Sequence, residues 1–141
     1  MGEKKKVLFA AFEATPFIKT GGLGDVAGSL PAYIKNDDYD ARVILPLLSS
    51  IPWEYREKMK YVENYEVRLG WRSLYCGLFT LRKGGVTYYF LDNEYYFSRS
   101  GVYGEFDDGE RVAFFSVAVL ETIRHIARTF APDILHCNDW H

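Results

Sequence analysis

The chain is poor in cysteine, histidine, net charge and long apolar runs, and each shortage closes off a class of function. Its 141 residues hold two cysteines, Cys76 and Cys137. That is too few for a disulfide scaffold, and they lack the paired spacing of a metal site. Free thiols of this kind fit a cytoplasmic chain. The formal net charge is −2, which gives no electrostatic case for nucleic acid or an anionic membrane as partner. The basic run Lys4-Lys5-Lys6 is short and reads as a solvated segment before the first strand. No apolar stretch approaches the ~20 residues of a membrane span. Val7–Phe12 is too short for the apolar region of a secretory signal and runs into Glu13. Internal repeats and low-complexity linkers are missing as well. What remains is one domain by length, with an ordinary hydrophobic content of 48% and enough residues to bury a core.

What the chain does have is glycine in one telling place. Residues 19–28 read Lys-Thr-Gly-Gly-Leu-Gly-Asp-Val-Ala-Gly, one loop after the apolar run Val7–Phe12. Adjacent glycines permit positive φ and let a ligand approach bare peptide N–H groups. A helix opening there aims unpaired N–H groups and its positive dipole end at an anion. Lys19 adds a full charge, so the run suits a phosphorylated ligand. A phosphate-binding P-loop needs Gly-Lys-Ser/Thr after its glycines, and here the lysine precedes them. A dinucleotide fingerprint fits Gly22-Leu-Gly24-Asp-Val-Ala27 only loosely. The gap from the strand is long, and the next strand, Arg42–Leu48, lacks the terminal acid that would hold a ribose. An ordinary glycine-rich turn is the remaining plain reading.

Periodicity supplies the frame. Val7–Phe12 suits a strand buried on both faces. Leu23, Val26, Ala27, Leu30 and Ile34 recur at helical spacing, with Pro31 expected to kink or restart that helix. Residues 53–60 read as a short polar helix. Tyr65–Trp71, Leu74–Arg82 and Val86–Leu91 read as β segments, the last two joined through the hairpin signal Lys83-Gly84-Gly85. Residues 92–108 read as loop. Asp107 reads as an N-cap with Glu110 completing a capping box, opening a helix over 109–130 that Pro132 ends. Ile134–Cys137 is a final strand. Strand–helix alternation at both ends argues an α/β fold with a parallel sheet.

The glycine run does not stand alone. The chain also reads Gly28-Ser-Leu-Pro31, Asp40-Ala-Arg-Val-Ile-Leu-Pro46, Tyr103-Gly, Asp107-Asp-Gly-Glu-Arg-Val-Ala-Phe-Phe-Ser116 and Pro132-Asp-Ile-Leu-His-Cys-Asn-Asp-Trp-His141. In this order and spacing the set resembles the N-terminal part of the bacterial glycogen synthases and plant starch synthases, over essentially the whole chain. The resemblance implies a Rossmann-like domain of a two-domain glycosyltransferase of GT-B type. Residues 1–141 would then form the N-terminal half of the acceptor-side domain. The donor domain and the catalytic histidine would lie outside them, so the chain alone is expected to be inactive. It further implies retaining transfer of glucose from ADP-glucose to the non-reducing end of an α-1,4-glucan, with no metal or other cofactor.

Carried onto this sequence, the resemblance makes Lys19 and Asp139 the catalytic candidates. Lys19, Gly21, Gly22, Asp25, Tyr103, Asp139 and His141 become the substrate-binding ones. Chemistry supports the first: negative charge grows on the leaving phosphate, where fixed positive charge and N–H donors help. Each residue also has a plainer reading. Asp25 could only stabilise the first helical turn, Asp139 could only cap a helix, and Tyr103 could only cover the sheet edge. His136, Asp139 and His141, clustered past a strand end, admit a metal site as a further reading. His125 reads as structural, and Arg111 as a surface ion-pair partner without a role. Two rival classes of function stay open: a non-catalytic fragment that binds nucleotide sugar or glucan or serves only as a structural piece, and a nucleotide-binding oxidoreductase of similar topology. An exposed parallel-sheet edge also makes self-association expected.

Overall fold

The computed structural model describes residues 2–141. The elements run β1 (Lys5–Ala10), α1 (Gly22–Ile34), β2 (Tyr39–Pro46), α2 (Trp53–Arg56), β3 (Lys60–Leu69), β4 (Arg72–Lys83), β5 (Val86–Asp92), α3 (Glu94–Phe97), α4 (Asp108–Ile126) and β6 (Ile134–Cys137). One six-stranded sheet takes the order β3-β4-β5-β2-β1-β6. The last four strands in that order are parallel, and β3 and β4 join antiparallel through hairpins. The sheet is therefore mixed, where alternation at the chain's ends argued a parallel one.

The strands that read as continuous apolar runs are the buried ones. Val7, Leu8 and Phe9 of β1 and Val43, Ile44 and Leu45 of β2 are buried, as strands covered on both faces must be. Phe17 closes one face against Tyr88 and Phe90 of β5. On the other, Tyr65 of β3 hydrogen-bonds Thr122 of α4, and Arg42 of β2 lies over the Phe130 ring, 4.4 Å from its centroid. The hairpin between β4 and β5 turns on Gly84 at φ +59° and Gly85 at φ +77°. Two consecutive left-handed residues are what a tight hairpin turn asks of its sequence.

Several local expectations shift. The helix expected over 53–60 shrinks to Trp53–Arg56, and β3 starts at Lys60. α1 runs through Pro31 as a single helix, with that proline buried. A short helix, α3, occupies part of the expected loop, its N-terminus closed by the Asn93 side chain accepting from the Tyr96 amide at 3.1 Å. Asp107 does precede α4, but its side chain makes no cap bond. It is held by Arg99 at 2.8 Å, while Glu110 pairs with Arg72 and accepts from the Tyr96 hydroxyl. Asp108 accepts from the Gly104 and Glu105 amides instead. α4 ends at Ile126 rather than residue 130.

β1 marks the turning point of the topology. Its connection through α1 leads to β2 on one side, and the strand arriving after α4, β6, pairs on its other side. Crossovers leaving in opposite directions open a crevice beyond the carboxyl ends of the strands that flank it, where such sheets take ligands. Among the described residues no helix is long and apolar enough to cross a membrane.

Candidate functional site

Two segments meet in that crevice: residues 11–25 after β1 and residues 138–141 after β6. A third, the loop before α4, brings Tyr103. Their meeting is organised by an acid that sequence reasoning passed over. Glu13 is 1% exposed. Its Oε1 accepts from the amides of Thr20 at 3.2 Å, Gly21 at 3.0 Å and Gly24 at 3.0 Å. Its Oε2 accepts from the Thr20 hydroxyl at 2.5 Å and the Tyr103 hydroxyl at 2.9 Å. Burial alone would raise the Glu13 carboxyl, but these donors overcome it and hold it below the ordinary range. A buried carboxylate is stable only when so satisfied.

This changes the reading of the glycine loop. The amides of Gly21 and Gly24 face Glu13, inside the protein. Those of Gly22 and Leu23, at the start of α1, find no acceptor among the described residues. Nor do the two adjacent glycines use positive φ: Gly21 is extended, at φ −163°, and Gly22 is not among the left-handed residues. A methyl group placed on either would meet nothing within 4 Å. By contrast, a Cβ on Gly24 would crowd Glu13 and Lys19, each at 3.1 Å, and one on Gly28 would strike Thr15. Folding therefore explains Gly24 and Gly28. It leaves bare backbone and open space at Gly21 and Gly22.

Lys19 stands at the mouth of this space, half exposed, with its ammonium 2.8 Å from Asp25 Oδ2. The two charged candidates are thus each other's partner. Tyr103 stacks on His141 at 4.9 Å and 15° between planes, and both rings lie against Phe12. Burial and the Glu13 carboxylate keep the Tyr103 phenol protonated. Burial lowers the His141 imidazole below its usual value, against the pull of Asp139 and Glu13. Its Nδ1 is buried without a partner. Asp139 is exposed and left-handed, at φ +57°, a conformation that Asp tolerates better than most residues. Beside it, Asn138 pins β6 to β1 by donating to the Ala10 carbonyl from its amide at 3.1 Å and its side chain at 3.0 Å. An apolar pocket of about 290 Å³ opens below, lined in part by Phe115, Val119 and Trp140.

His136 does not join His141. It stacks on Phe9 at 4.7 Å, and among the described residues no group of three or more His, Cys, Asp or Glu is placed to hold a metal ion. His125 bridges Glu63 at 2.5 Å and Glu121 at 3.4 Å and stacks on Tyr65. Arg111 is no surface residue. It is 1% exposed, donates to the Tyr96 carbonyl at 2.7 Å and the Val102 carbonyl at 3.0 Å, and pairs with Asp108 at 2.9 Å. It thereby fastens the loop that carries Tyr103. Its position in α4, three residues from Asp108, was the available signal.

The site as a whole offers an anion a cation and two free amides at a helix start, beside a hydroxyl, an imidazole and a carboxylate suited to a polyhydroxylated ligand. The family profile described as the starch synthase catalytic domain matches residues 6–141. The glycogen synthase of Clostridium novyi (strain NT) is 59% identical over 135 residues, covering 96% of this chain and 28% of that protein. The glycogen synthase of Lactobacillus acidophilus is 52% identical over 136 residues, again with 28% of its length covered. Among solved structures, the catalytic domain of Starch Synthase IV from Arabidopsis thaliana bound to ADP and acarbose superposes with a TM-score of 0.87 at 27% identity, covering 98% of this chain and 28% of that one. The chain spans 28% of the length of each of these relatives.

Proposed function

The chain belongs to the starch synthase catalytic-domain family, and from that premise we propose that it forms the N-terminal half of the acceptor-side domain of a retaining glucosyltransferase. The donor is ADP-glucose, and the acceptor is the non-reducing end of an α-1,4-glucan. The reaction breaks the bond between the glucosyl C1 and the distal phosphate oxygen and forms one from C1 to an acceptor hydroxyl oxygen. ADP leaves, and the hydroxyl proton is released. No metal or cofactor enters this reading.

The observation that carries it is the unfilled space before Gly21 and Gly22, with the Gly22 and Leu23 amides unpaired behind it and Lys19 beside it. An anion seated there gains fixed donors where charge accumulates as the C1–oxygen bond breaks. Lys19 would exchange Asp25 for the distal phosphate, and the freed Asp25 carboxylate would accept from a glucose hydroxyl. Tyr103, Asp139 and His141 would line the sugar side. The Arabidopsis catalytic domain is bound to ADP and acarbose, ligands of the two chemical kinds that this assignment requires.

A pair of titrations tests it. ADP-glucose should give a saturable response that ADP competes away, and NAD should give none. Saturable binding of NAD with no response to ADP-glucose would return the chain to the oxidoreductase reading.

A further inference from the structure

We propose that Glu13 is a positioning residue of this site: its buried carboxylate is the resident anion on which the glycine loop is built, and it aims the remaining donors outward. The inference rests on the reading above and adds to it a residue outside the glycine run.

The first turn of a helix leaves its N–H groups unpaired, and a buried anion can take them as readily as a ligand can. Here the Thr20, Gly21 and Gly24 amides all converge on Glu13 Oε1. A ligand phosphate cannot use them without displacing a carboxylate that is 1% exposed. Gly22 and Leu23, between these points, are left free. The other carboxylate oxygen fixes the Tyr103 hydroxyl, and through the Tyr103–His141 stack it reaches the residues after β6. One side chain thus sets the spacing between the phosphate side and the sugar side of the crevice. Glu13 touches neither bound partner in this assignment and acts through the residues it holds. Sites of this kind lose rate when the supporting group is removed, because the donors are then misplaced by fractions of an ångström. Glutamine keeps the shape and loses the charge: its oxygen can face the three amides, but its NH2 group donates, so the Thr20 and Tyr103 hydroxyls must turn to accept and the donors lose the anion that holds them.

Two measurements test this separately. In the full chain, the amide protons of Thr20, Gly21 and Gly24 should titrate together, with a midpoint below the ordinary glutamate value of 4.5. Tyr103 and His141 are also titratable groups close to Glu13, Lys19 adjoins it at Gly24, and Asp25 and Asp139 lie at the rim of the site, so the glutamine variant is what separates Glu13 from all of them. Glu13→Gln should abolish the common titration. Independent behaviour of the three amides, or a titration that survives Glu13→Gln, overturns the proposal.

The second measurement is kinetic. Residues 6–141 replace the matching segment of the full-length Clostridium novyi enzyme. There Glu13→Gln should lower kcat about fivefold or more while leaving the KM for ADP-glucose within about threefold, since the loss falls on donors used as charge develops. A smaller loss of kcat in the folded variant overturns the proposal. If Glu13→Gln does not fold, Thr20→Val, which removes only one hydroxyl donor, must show the same split with a kcat loss of about twofold or more, or the proposal fails. If the unmutated hybrid transfers no glucose from ADP-glucose, the functional reading falls, and the amide titration alone decides the place of Glu13.

Discussion

Lys19 and Asp25 neutralise each other in the open, at 51% and 57% side-chain exposure. An ion pair so exposed holds little free energy, about 0–1 kcal/mol. A diphosphate can therefore take the ammonium from Asp25 at small cost. If it does, the charge matters most as the glucosyl–phosphate bond breaks. In a full-length synthase carrying this segment, Lys19→Ala should lower kcat by about ten- to a hundredfold, the equivalent of one charge-assisted contact of ~1.5–3 kcal/mol, and should weaken donor binding as well. Lys19→Arg should recover only part, because a planar fork fits a tight loop poorly. Steady-state kinetics with thermal unfolding as control reads both. Unchanged kcat and donor KM would make Lys19 an ordinary surface lysine, and an equal loss of stability would make it structural. At this scale the sequence offers candidates where polar and glycine residues fall in a run, as Lys19, Gly22 and Asp25 do. Glu13 could not be found this way, because one acid after an apolar strand has no periodic signature and its donors come from residues 7 to 90 positions away.

α1 is held to its place by close approach. Ala27 and Pro31 are buried, and Gly28 lies so near the turn after β1 that an added Cβ would come within 2.0 Å of Thr15 Oγ1 and 2.6 Å of its carbonyl oxygen. The hydroxyl can rotate away, but the carbonyl cannot move without shifting the backbone. Gly28→Ala should therefore lower stability by about 1–3 kcal/mol, as overpacking does. The gain in helix propensity, about 1 kcal/mol, is included in that net figure. Chemical denaturation of the two chains checks it. An alanine variant as stable as the parent would show that the helix can step away. β1 and β2 were readable from their continuous apolar runs, and α4 from its helical apolar spacing. The start of β3 was not, because Lys60, Tyr61 and Val62 are all exposed and carry no alternation. α3 has four residues, too few for any helical period to show.

The sheet ends at β6, whose outer side pairs with nothing among the described residues. Ile134 there is 47% exposed and Trp140, just beyond, 69%. Unpaired parallel edges with apolar side chains invite pairing with another copy. The chain should therefore form dimers or larger species, and Ile134→Lys should reduce them. A clean monomer by light scattering at high concentration would count against the role of this edge. Strand order could not be read from the sequence, since which strands adjoin is decided by crossovers rather than by local pattern. The crevice was legible only as an expectation attached to the glycine run. The Glu13–Tyr103 hydrogen bond closes a span of 90 residues. Closing a span of that length costs more entropy than closing a local turn, and the structure assembled between its ends must offset that cost. Any molecule that needs both the glycine loop and Tyr103 can then recognise only the finished protein. Its presence would draw the population toward that state by mass action and slow its loss to partly opened forms. The crevice is in this sense a checkpoint, testing whether the loop after β1 and the loop before α4 have found each other.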